Sequence, residues 1–154
     1  MKGSSKVMIQ KTFGDQIESI SYYDREGAYL IYIKDNKLAV IRDTQGYFLP
    51  GGGADDNENF EECLRRECIE EIGFSVRIDK HICSADAYLL HPRVGYFHPI
   101  QHYYSGKLIE KVCEPIEDDH IFEWISIDDI ESKMFLKIQE WAVKYYVDNC
   151  IDKS

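Results

Sequence analysis

The sequence predicts an α/β fold in which a mixed β-sheet carries helices on its faces. Three observations lead there. Short β-branched and aromatic runs recur along the chain, a capped helical segment lies between them, and a second helical stripe follows near the C-terminus. With 154 residues, 44% of them apolar and 13% aromatic, the chain can fill one core. A single domain over 1–154 is therefore expected, undivided by repeats, low-complexity tracts or a proline-rich linker. Residues 1–24 remain an unassigned extension.

The elements follow in order. Ala28–Ile33 and Leu38–Arg42 are β-rich runs joined by Lys34–Lys37 and are expected to form a hairpin. Tyr47–Pro50 leads into Gly51, Gly52 and Gly53. Asn59 is the expected N-cap of a helix over Phe60–Ile72, with Glu62 completing a capping box and Gly73 supplying the left-handed stop. Ser75–Ile78, Ile82–Leu90, Gln101–Ile109 and His120–Ile125 are further strand candidates. Over Ser132–Val147, Phe135, Ile138, Trp141, Ala142 and Tyr145 recur at helical spacing, which predicts one core-facing helix.

The formal charge is −10. Affinity for duplex nucleic acid or an anionic membrane comes from Lys and Arg meeting phosphate, so neither is an expected partner. The surplus is confined to two stretches. Residues 51–74 hold eight carboxylates against Arg65 and Arg66, and residues 114–131 hold eight with no Lys or Arg. No signal-like or membrane-length apolar run is present, and the five cysteines include no Cys-x-x-Cys. A reducing cytoplasmic setting is expected, with Cys63 and Cys68 acting as small buried apolar residues.

On the first helix Glu67, Glu70 and Glu71 stand at i, i+3 and i+4, beside the apolar stripe of Phe60, Leu64, Cys68 and Ile72. Like charges at that spacing repel. By the 100° step per residue Arg65 and Arg66 project elsewhere, so a hard divalent cation, Mg²⁺ or Mn²⁺, is the expected counter-charge for oxygen ligands without His or Cys.

The run from Gly52 to Phe74 reads Gly52, five residues, Glu58, seven residues, then Arg66-Glu67-Cys68-Ile69-Glu70-Glu71-Ile72-Gly73-Phe74. It resembles the Nudix box, G-x5-E-x7-R-E-U-x-E-E-x-G-U, where U is aliphatic. Every charged and glycine position matches, and Cys68 and Phe74 depart mildly by standing at the U positions. Tyr47–Gly53, the stretch Phe122-Glu-Trp-Ile-Ser126 and Ile127–Ile130 are similar to the family's flanking strand, late strand and short helix. The resemblance implies a three-layer α/β/α sandwich with a mixed sheet and a loop-helix-loop motif. It also implies Mg²⁺-dependent hydrolysis of a small-molecule nucleoside diphosphate derivative.

Carried over by position, Glu67, Glu70 and Glu71 match the family's metal-binding and catalytic carboxylates, and the Gly51 or Gly52 carbonyl is a further candidate ligand. Arg66 matches the residue that orients them, Glu58 its partner, and Gly52 and Gly73 the turns at either end. Glu67 and Glu70 are both candidates for the base that accepts a proton from water. The resemblance also implies an acid from the loop before the tryptophan strand, here Asp118 or Asp119. His120 lacks a His or Cys partner at ligand spacing and is read as a strand start.

Substrate contacts are expected from Arg42, Arg25 and, for base stacking, Tyr104 within the aromatic stretch Tyr88–Tyr104. The chain's size implies a MutT-like nucleoside triphosphate pyrophosphohydrolase, monomeric or homodimeric. A nucleotide-sugar or ADP-ribose pyrophosphohydrolase and a non-catalytic binding module are the alternatives.

Overall fold

The computed structural model describes residues 8–116 and 119–150. Strands β1 (Lys11–Phe13), β2 (Tyr23–Ile31), β3 (Ile33–Lys34), β4 (Lys37–Arg42), β5 (Tyr47–Phe48) and β6 (Gly51–Gly53) precede helix α1 (Phe60–Ile72). Strands β7 (Phe74–Ala87), β8 (Leu89–His91), β9 (Gly95–Lys111) and β10 (Ile121–Ser126) follow. A 3₁₀ turn at Ile127–Asp129 then leads into helices α2 (Ile130–Lys133) and α3 (Lys137–Asn149). The larger sheet is mixed, in the order β1-β7-β9-β2-β6 with β8 on β9. The smaller is antiparallel, β10-β4-β3 with β5 on β4.

The larger sheet is buried on both faces. Ala28 and Leu30 of β2 pack with Cys63, Leu64 and Cys68 of α1. Ile31 and Tyr103, on the opposite face, pack with Ile138, Ala142 and Val143 of α3 and with Leu38 and Val40 of the smaller sheet. This period-2 alternation makes the three-layer arrangement. The expected hairpin is only partial, because both edges of β2 are taken by other strands. Strand β2 pairs in parallel with β9 and antiparallel with β6, and only Ile33–Lys34 turns back onto β4, through Asp35 and Asn36 at φ 52° and 61°.

Helix α1 has the bounds and caps the sequence predicts. Asn59 Oδ1 accepts from the Glu62 N–H at 2.8 Å, and Glu62 Oε1 accepts from the Asn59 N–H at 3.0 Å. Gly73, at φ 75°, donates its N–H to the Ile69 carbonyl and accepts from the Val112 N–H. A Cβ there would run into the Cys113 carbonyl oxygen.

Three expectations are corrected. The strands expected at Ser75–Ile78 and Ile82–Leu90 are one strand to Ala87, because register shifts at Ile78/Lys80 and His81/Cys83 absorb the polar Asp79-Lys80-His81 interruption. Strand β9 begins at Gly95 rather than Gln101, since the chain carries Pro99 through the sheet opposite Arg25 at the cost of one ladder donor. The helix expected over Ser132–Val147 is broken at Met134–Leu136, which adopt extended angles at Met134 and Leu136. There the Phe135 N–H donates to the Tyr47 carbonyl at 3.1 Å, so pairing with β5 replaces helical bonds, and Phe135 is half exposed rather than core-facing. Within the unassigned extension, β1 pairs in parallel with β7. Among the described residues no helix is long and apolar enough to cross a membrane.

Gly73 and Gly95 both have positive φ, but only the former is hemmed in by backbone. Gly73→Ala is expected to cost about 2–3 kcal/mol, and Gly95→Ala about 1 kcal/mol, the conformational part alone. Thermal melts of the two variants check this; equal losses would contradict the Cys113 contact as the source.

Candidate active site

The site forms where the glycine-rich edge strand β6 meets the C-terminal half of α1. Gly52 faces the helix, and a side chain on it would occupy the space taken by the Glu67 carboxylate. Only glycine lets this carboxylate lie against the strand. Glu71, buried at 8% exposure, accepts the Gly51 N–H on Oε1 at 2.9 Å. The Cys63 thiol donates to the Gly52 carbonyl at 3.2 Å, adding a tie between helix and strand.

Gly51 lies opposite Tyr29 in the β2–β6 ladder. Because the next residue, Leu30, donates to the carbonyl of Pro50, this pair is a non-hydrogen-bonded one. Both polar groups of Gly51 therefore point away from β2, and its carbonyl faces the site side of the edge.

Arg66 organises the acids. Its Nε and Nη2 grip Glu58 bidentately at 2.7 and 2.9 Å, Nη2 also donates to the Gly53 carbonyl at 2.9 Å, and Nη1 donates to Glu67 Oε2 and Glu70 Oε1, each at 3.1 Å. Glu58 is delivered by a tight turn: its N–H donates to the Asp55 carbonyl, and its Oε1 accepts the Asp55 N–H. The Arg66 hydrogen bonds hold the Glu58 carboxyl below its usual range, and the paired acids raise the Arg66 pKa. This corrects the expectation that Arg66 projects away from the carboxylates; its long stem carries the guanidinium back across the helix face. Arg65 does project away, to Glu61 at 3.6 Å.

Compensation is incomplete. Burial, followed by the charge of Glu71, pushes the Glu67 carboxyl up to about 7 despite Arg66. Burial also raises the neighbouring Tyr29 phenol, with Glu71 adding to the effect. Glu67 thus retains an affinity for a proton or another cation. The donor set is oxygen only, which suits a hard divalent ion. Among the described residues no three metal-binding side chains are gathered around a single point: Arg66 holds Glu67 and Glu70, and the Gly51 N–H holds Glu71.

The remaining predicted residues divide. Arg25 lays its guanidinium over Gly53, is exposed, and forms no ion pair among the described residues. Arg42 is not brought to the carboxylates: it alternates away from Ile41 and Asp43, and its Nε donates to Glu123 at 2.7 Å across the smaller sheet. Tyr104 is not brought there either, since it packs on the α1 side against His81, where burial raises its phenol to about 12. Asp119 is exposed, and Asp118 lies outside the described residues. His120, read as a strand start, instead precedes β10 and sets Nδ1 3.4 Å from Glu71 Oε2. Its position before the tryptophan strand was the available signal. Sequence reasoning also missed Gln101 and Gln139, which with Tyr29, Gly51, Glu71 and His120 line a cleft of about 230 Å³.

The NUDIX domain model matches residues 22–147. No curated protein matches the sequence. Among solved structures, a NUDIX hydrolase from Nitrosomonas europaea superposes with a TM-score of 0.67 at 16% identity, covering 82% of this chain and 90% of that one. A MutT NUDIX hydrolase from Burkholderia pseudomallei gives 0.65 at 19% identity, covering 80% and 98%. An ADP-ribose pyrophosphatase from Streptococcus suis 89-1591 gives 0.62 at 15% identity, covering 84% and 94%. With the mixed sheet and the glycine-backed glutamate helix already described, the match over most of its length makes this chain a member of the NUDIX family, hydrolases that act on phosphoric anhydride bonds.

Proposed function

We propose that the chain is a Mg²⁺- or Mn²⁺-dependent pyrophosphohydrolase that cleaves a nucleoside triphosphate to the monophosphate and pyrophosphate. The observation that carries this reading is the convergence of Glu67 and Glu71 on the Gly51–Gly52 backbone at the mouth of the cleft.

Glu67, Glu70, Glu71 and the Gly51 carbonyl would hold the ion, with Asp118 or Asp119 contributing from the adjacent loop. When bound, a divalent cation offsets the charge of the diphosphate and makes water a better nucleophile at neutral pH. Arg66 fixes one oxygen of Glu67 and one of Glu70, leaving the second oxygen of each to face ion or water. Either can accept the proton of the attacking water. Arg25, over Gly53 and without a carboxylate partner among the described residues, would meet phosphate. Arg42 belongs to its pair with Glu123 and takes no part.

The direct test is release of pyrophosphate and nucleoside monophosphate from a panel of triphosphates, nucleotide sugars and ADP-ribose with Mg²⁺. Turnover of the triphosphates is expected, and binding without turnover of any member would favour the non-catalytic alternative. Glu70→Gln and Glu71→Gln are each expected to lower kcat by at least about 100-fold. Near-normal turnover in both would remove these residues from the chemistry.

A second prediction concerns pH. Glu67 titrates at about 7 in the fold against an ordinary value of 4.5, so the native state holds a proton that the unfolded chain releases between those values. The metal-free fold is therefore most stable, as far as this group goes, below about pH 4.5, and loses stability as pH rises through 7. Melts in EDTA should give a lower Tm at pH 8 than at pH 5.5. Saturating Mg²⁺ should raise Tm more at pH 8, and Glu67→Gln should flatten both trends. A Mg²⁺ increment independent of pH would count against Glu67 as a ligand.

A further inference from the structure

The floor of the cleft carries a hydrogen-bond relay with a fixed direction. Its origin is a backbone group: the Leu49 N–H, which can only donate, meets Gln139 Oε1 at 2.8 Å. That contact fixes which end of the Gln139 carboxamide is oxygen, so its nitrogen must point the other way, and Nε2 donates to Gln101 Oε1 at 3.1 Å. The Tyr103 hydroxyl donates to the same oxygen at 2.8 Å. Both lone pairs of Gln101 Oε1 are thus engaged. Gln101, Tyr103 and Gln139 are 6%, 0% and 1% exposed, so none can exchange its partners readily for water.

One group is left over. Among the described residues the Gln101 Nε2 amide has no hydrogen-bond partner, and Gln101 lines the cleft beside Gly51 and Glu71. The cleft around it is mixed, with the apolar side chains of Ile41, Phe48 and Leu136 beside the polar Asp43, Gln45 and His120. A flat ring entering between them meets a donor that cannot become an acceptor, because flipping the carboxamide would set N–H against N–H at Gln139.

We propose that Gln101 is a specificity-determining residue, locked as a donor by Gln139 and Leu49, that selects nucleobases presenting an exocyclic carbonyl over those presenting an exocyclic amine at the same position. This rests on the nucleotide reading above for the identity of the ring. Hypoxanthine and uracil present the acceptor; adenine and cytosine place an N–H donor there. One hydrogen bond gained against a donor–donor clash corresponds to at least about a 10-fold preference. Gln101 contacts the base, and Gln139 is a positioning residue that acts through it.

The test compares equilibrium binding of IMP with AMP, and of UMP with CMP, to the full chain by calorimetry in the presence of Mg²⁺. The wild type is expected to bind the oxo member of each pair at least about 10-fold more tightly. Gln101→Glu keeps one oxygen for the Gln139 and Tyr103 donors and turns the other toward the cleft as an acceptor, so the preference should invert. Gln139→Leu frees the Gln101 amide to rotate and should shrink the ratio toward unity. Because each readout is a ratio within one protein, loss of folded fraction cancels. Equal affinities in the wild type, an unchanged ratio in Gln101→Glu, or no binding of any of the four would overturn the proposal. If the ratio inverts as expected while no nucleotide is hydrolysed, the base selection stands and the hydrolase reading falls. Hydrolysis without discrimination has the opposite meaning.

Discussion

The arrangement of the site depends on one guanidinium. Arg66 hydrogen-bonds three carboxylates and a carbonyl, and these come from three parts of the chain: the turn before α1, the strand before that turn, and the helix itself. Glu67, Glu70 and Glu71 on two successive turns would repel one another if left to solvent and helix geometry alone. Arg66 offsets part of that repulsion and converts the rest into orientation, because its planar fork fixes the plane of each carboxylate it meets. Removing it would leave several part-buried acids facing one another without compensation, a far larger loss than any exposed ion pair entails.

The sheet supplies the other half. Burial on both faces fixes the register of β2, β2 fixes β6, and β6 as an edge strand has its outer backbone groups available. Edge groups of this kind are usually a liability. Here the Gly51 N–H is capped by Glu71, so the same interaction that protects the edge brings a buried carboxylate to the mouth of the cleft. Structure and chemistry use one contact.

Much of this was legible in the sequence. The bounds and caps of α1 follow from Asn59, Glu62 and Gly73 acting locally, and the identities of the glutamates follow from spacing along one helix. What was not legible required long-range information. The break at Met134–Leu136 depends on Tyr47, far away in the chain, offering a carbonyl that competes with the helix. Arg42 and Tyr104 had plausible chemistry, but the alternation of their strands turned one to Glu123 and the other beneath α1. Arg66 was misdirected by counting Cα positions, which ignores the reach of a four-bond stem. Gln101 and Gln139 left no local signal at all, since an uncharged amide becomes informative only when its partners are known.

Gly52 bears on how such a domain diversifies. The space for the Glu67 carboxylate exists because one backbone position lacks a side chain. A single methyl there would displace that carboxylate while leaving every acid and Arg66 in the sequence. One base change in a glycine codon thus separates an arrangement suited to hydrolysis from one whose carboxylates are all present but misplaced. A descendant of this fold that binds without cutting could keep all its glutamates, and its loss of chemistry would be written in a residue that carries no functional group.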